Sequence, residues 1–157
     1  MIQKIKTEKA VAASNILATA KYGKLSDEDK VKVWKIARAL KPISTKFDED
    51  SNDASEKFKE DIENFDERLG KAQQYEVEIR KPDFDAQKLP MGAAEYAAFI
   101  EEFKKYRKLV SDAMAEFAEA ETDVDFEPID EDAFGKLMAS NDWNVAQAMA
   151  LGEIICH

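Results

Sequence analysis

VKVWKIARALKPISTKFDEDSNDASEKFKEDIENFDERLGKA, residues 31 to 72, carries apolar side chains at Val33, Ile36, Leu40, Ile43, Phe47, Ala54, Phe58, Ile62, Phe65, Leu69 and Ala72. Steps of three and four, with one double step, keep a single helical face apolar for some forty residues. The stripe is coiled-coil-like and reads as helix throughout. Pro42 interrupts it: an interior proline removes the bond to the carbonyl of Arg38 and costs roughly 3 kcal/mol unless the helix bends or restarts. A kink or break is therefore expected at Lys41 to Thr45, with the first arm running from about 46 to 76.

A second stripe at the same spacing, Tyr96, Phe99, Ile100, Phe103, Tyr106, Val110, Met114 and Phe117, sets a helix over 92 to 121. Both arms measure roughly 45 Å at 1.5 Å per residue, which suits a long antiparallel hairpin over 46 to 121. Between them Pro82, Pro90 and Gly92 rule out continuous helix, and EVEIRK (76 to 81) reads as a short strand.

The flanking segments, 1 to 45 and 122 to 157, read as a small helical head. Thr7 is placed to cap a helix ending near Tyr22, with Gly23 as its terminator. Ser26 with Asp29 opens the next helix as a capping-box-like pair. Short helices follow at 130 to 139 and 142 to 151, the second capped by Asn141 and packed through Trp143, Ala146 and Met149. The fold class is all-α, a single domain with one or two very short strands. Only 5 Gly and 4 Pro among 157 residues support long helices.

Net charge is −10, but residues 1 to 46 hold 11 Lys/Arg against 4 Asp/Glu while 47 to 157 hold 12 against 29. The two parts attract each other, and the acidic majority disfavours direct nucleic-acid binding. No apolar run reaches the length of a signal peptide or a membrane span, and a single Cys excludes an internal disulfide, so a cytoplasmic location is expected.

Candidate chemistry centres on TDVDFEPIDEDAF, residues 122 to 134, with six carboxylates. Read as a calcium loop from Asp123, it needs Gly at position 6 and a bidentate Glu at 12. Pro128 and Phe134 stand there instead. A second near match from Asp48 places Asp53 and Lys59 at those positions. Cys156 and His157, the only residues of their kinds, lie at the end of the chain, a poor place for zinc or a triad. The three Gly-Lys pairs lack the remainder of a phosphate loop. No catalytic, metal-binding or cofactor-binding residue is assigned. The acidic segment reads instead as an extended connector whose Asp123 and Asp125 latch onto a basic corner of Arg38, Lys41 and Lys46. Two helices bury only part of two wide apolar stripes, so Phe58, Phe65, Phe99 and Phe103 are expected to form an exposed seam that favours a protein partner or self-association.

The order of the pieces resembles a family of small proteins of tailed phages and prophages. The resemblance is carried by the Lys-rich KYGKLSDEDKVKVWKIARALKPI, the acidic FKEDIENFDERLGKA, the helix EYAAFIEEFKKYRKLV and the closing ETDVDFEPIDEDAFGKL. It implies a non-enzymatic accessory protein acting through contacts with phage or host proteins, in virion assembly or host takeover, in the cytoplasm of a bacterial host or on the virion. An acidic inhibitor that occupies a nucleic-acid groove of a host defence protein is the alternative, and a carboxylate-based hydrolase the third.

Overall fold

The helix that opens at Ser26 does not stop at the proline. In the computed structural model, which describes all 157 residues, β1 is Ile2–Lys6, α1 Thr7–Ala18, α2 Asp27–Lys59, α3 Phe65–Ile79, α4 Ala93–Glu119, β2 Glu121–Asp125, α5 Glu131–Ala139 and α6 Val145–Ile155. About 70% of the chain is helical, so the all-α class holds. Ser26 Oγ accepts the Asp29 N–H at 3.1 Å and donates to the Asp29 carboxylate at 2.9 Å. Asp27, Glu28 and Asp29 fill the first turn, where negative charge suits the helix dipole.

Pro42 lies inside α2, which continues through the expected break. Buried neighbours on the inner face, Leu40 and Ser44, hold the turn together while the proline ring faces solvent. The interruption falls instead at residues 60 to 64, where the apolar spacing gives no warning. Asn64 adopts a left-handed backbone, φ 54°, and re-aims the chain into α3. The first arm is thus two helices. The EVEIRK strand is also overturned: Glu76 to Ile79 close α3, and only a 3-10 turn, Ala86–Lys88, follows before α4.

The structure divides into two compact units, residues 1–50 with 115–157, and residues 51–114. Helices α2 and α4 each supply residues to both. In the second unit, Phe65 at the start of α3 meets Phe99, Phe103 and Tyr106 of α4, while Tyr75 near its end stacks on Tyr96 at 4.3 Å. These pairings set α3 antiparallel to α4. Tyr106 Oη lies 2.7 Å from Ser55 Oγ of α2, and the Tyr96 hydroxyl donates to Glu76 at 2.6 Å. The hydroxyl's link to a carboxylate, with burial and the carboxylate's charge, raises the Tyr96 pKa.

In the first unit, β1 and β2 form an antiparallel ribbon in the register Ile2 with Asp125 through Lys6 with Glu121. The connector is extended, as its alternation suggests; its partner is the N-terminal strand. Val124, Phe126 and Ile129 point into a core with Ile36, Leu40, Leu137, Leu151 and Ile155. Helix α1 ends at Ala18 rather than Tyr22. The Asn141 side chain accepts the Lys21 N–H and donates to its carbonyl, and Ser140 Oγ accepts the Lys24 N–H, so tertiary partners replace helical ones. Gly23 ends nothing.

Asn141 is therefore no cap. Asn144 takes that role, in a reciprocal capping box with Gln147 at 2.8 and 3.1 Å. The helix starts three residues later than expected and turns a different face inward: Leu151, Ile154 and Ile155 are buried, whereas Met149 is 69% exposed. The chain end is not frayed, because Ile129 bonds to Ile155 and His157 through its N–H and carbonyl at 2.9 and 3.1 Å.

Candidate interaction surfaces

Four phenylalanines expected on an exposed seam lie inside the second unit. Phe99 is fully buried and Phe65 nearly so, with Phe58 and Phe103 half-buried against them. The physical reason is the break at Asn64: three helical segments enclose the aromatic stripe that two straight arms would leave half open. Cations cover the edges. The Arg68 guanidinium lies 5.1 Å from the Phe99 ring centroid and pairs with Glu102, and Lys59 sits 5.4 Å from the Phe65 centroid.

The expected latch uses different partners. Asp125 meets the Met1 ammonium at 2.8 Å and Glu127 approaches Lys32 at 4.0 Å. Lys46 pairs with Asp50 at 2.8 Å, one helical turn away on its own helix. That charged hydrogen bond raises the Lys46 pKa. Arg38 stacks on Trp34, 5.3 Å from its ring centroid. Asp123, Arg38 and Lys41 enter no ion pair. The basic first segment and acidic connector are still joined, through the β ribbon and the two pairs Met1–Asp125 and Lys32–Glu127, while Lys6 meets Glu119 at the end of α4 at 2.9 Å.

No three His, Cys, Asp or Glu side chains gather in an arrangement able to hold a metal. The acidic connector spends its groups on structure: Asp130 caps α5 by accepting the Ala133 N–H at 2.8 Å, and Asp132 pairs with Lys136 at 2.7 Å. Burial, reinforced by Glu131 and Asp130, pushes the Cys156 thiol pKa up, away from the reactive thiolate. A polar hollow of about 410 Å3 lies between Asn15, Thr19, Lys21 and Trp143, built around the Asn141 staple. Asn141 uses both amide hydrogens and its oxygen on backbone groups, which leaves little of it for a ligand.

Two apolar surfaces stand out in the first unit. On α5 and α6, Met138, Val145 and Met149 rise above a floor of Phe134 and Ala148, lining a shallow groove of about 660 Å3. The Phe134 ring rests on Gly152, where an added Cβ would come within 3.0 Å of it. On α2, Val31 and Trp34 are 50% and 53% exposed, on the side opposite Val33, Ile36 and Leu40. Sequence reasoning missed both. The Trp34 surface was detectable as the Trp34/Arg38 spacing on the outer face; the groove was not, since Met149 reads equally well on a packed face. No helix is long and apolar enough to cross a membrane. Comparison with protein-family models, with curated proteins and with solved structures gives no match.

Proposed function

We propose that this chain is a non-enzymatic helical interaction protein that docks on other proteins through its first unit. The observation that carries the reading is the α5–α6 groove, whose lips Val145 and Met149 are 75% and 69% exposed on helices that bury another face through Ala133, Leu137, Leu151 and Ile154. Exposed methionines around an apolar floor suit a surface that adapts to an incoming helix or side chain. Trp34, ordered by Arg38, has the residue types that dominate binding energy in protein interfaces. The resemblance in element order to proteins of tailed phages supports a role in virion assembly or host takeover.

The acidic-inhibitor reading has less support, because Glu119, Asp125, Glu127, Asp132 and Glu153 are engaged by cations of the same chain. A photo-crosslinking residue at Met149, introduced in the producing cell, tests the docking reading. A discrete protein adduct, lost when the probe is moved to exposed Glu63, is the expected result. The same adducts from both positions, or none from Met149, would refute it.

A further inference from the structure

Helix α2 presents a basic ridge. With Val33, Ile36 and Leu40 buried, the 100° turn per residue carries Val31, Trp34, Lys35, Arg38 and Lys41 to the outer side. Neighbouring cations are used up, Lys30 by Asp27, Lys32 by Glu28 and Glu127, and Lys46 by Asp50. Lys35, Arg38 and Lys41 are not. The ridge therefore combines an ordered tryptophan, an exposed valine and three uncompensated positive charges.

The α5–α6 groove is its complement. Residues 123 to 157 contain Lys136 as their one base against eight Asp/Glu, a net of −7. Glu131, which enters no ion pair, lies one turn before Phe134 on the same face of α5, and Glu153, one turn after Met149 on α6, lines the groove and shares its charge with Lys9. An apolar floor with an acidic border is matched by an apolar ridge with a basic border. Lengths agree as well: Val31 to Lys41 spans about 15 Å of helix and Val145 to Glu153 about 12 Å.

We infer that a second copy of this chain fills the groove, with the Trp34 ridge of one molecule seated between Met138 and Met149 of the next. This rests on the docking reading above and names its partner. The contact is heterologous, so a pair keeps one free ridge and one free groove, and copies add head to tail into a ring or filament. Repulsion between molecules of net charge −10 is screened beyond about 8 Å at physiological salt, whereas the paired borders act at short range.

Sedimentation velocity from micromolar to millimolar concentration tests it on the full chain. Wild type is expected to rise in mass well beyond a dimer. Trp34→Glu and Met149→Lys, both at exposed positions, are expected to remain monomeric with unchanged circular dichroism. Mixed one to one, they form a dimer that grows no further, since one molecule supplies the ridge and the other the groove. Val31→Glu with Val145→Lys repeats the test should either first variant misfold. A wild type that is monomeric throughout, variants that still assemble, or a mixture that stays monomeric overturns the inference. If the wild type is monomeric while Met149 crosslinks to a different protein, only the self-assembly falls; if it crosslinks to nothing, the docking reading falls with it.

Discussion

Replacing Pro42 by alanine should stabilise this protein, because α2 is continuous through the proline. Pro42 has no N–H to donate to the carbonyl of Arg38, one turn back, and its ring is exposed, so truncation sacrifices no core packing. In a helix interior, proline is about 3 kcal/mol less favourable than alanine. Local adjustment of the helix recovers part of that difference, leaving about 2 kcal/mol to be gained. For a chain of this size each kcal/mol moves the melting temperature by roughly 2–4 °C, so a rise of roughly 4–8 °C is expected by circular dichroism at 222 nm. Hydrogen exchange at residues 43 to 46 should slow in parallel. An unchanged or lower melting temperature would show that the helix ends at the proline, and would refute the reasoning.

Phe99→Ala removes a fully buried ring that touches Phe65 and Phe103 and should cost about 3–5 kcal/mol in urea unfolding; a loss below about 1 kcal/mol would contradict its place in the second core. At Asn64, φ 54°, glycine should preserve stability, whereas valine should lose about 1–2 kcal/mol; equal melting of the two variants would remove the left-handed turn. Cys156 should react with a thiol reagent at neutral pH more slowly in the native chain than in urea, since burial favours the protonated thiol. The unfolded thiol ionises first as pH rises past its ordinary value of 9.0, so Cys156 contributes a fall in stability above that point. Lysines 6, 32 and 46, whose pKa values are raised chiefly by hydrogen bonds to Glu119, Glu28 and Asp50, act in the same sense. Their stabilising contribution is present below the unfolded value and is lost as pH rises through the folded one. A melting temperature that climbs between pH 9 and 11 would contradict both signs.

The sequence by itself determined the helical class and the most periodic of the helices. Apolar spacing located α4 to within two residues at either end, and Ser26 with Asp29 marked the start of α2, because periodicity and capping are properties of neighbouring residues. The extended connector was equally legible in the alternation of Val124 and Phe126. Tertiary structure decided what neighbours cannot encode. The three-four rhythm runs unbroken through Phe58, Ile62 and Phe65, yet the helix breaks at 60 to 64 and Asn64 turns left-handed, while side chains before and after the break enter one aromatic core. Pro42 looked like the break; instead the packed face of α2 carries the helix across it. The N-terminal strand became visible only once β2 was there to pair with it. The interaction surfaces belong to the same class of fact: whether Met149 or Trp34 lies inward or outward depends on which faces the rest of the fold has already taken, and Leu151, Ile154 and Ile155 on one helix and Val33, Ile36 and Leu40 on the other had taken them.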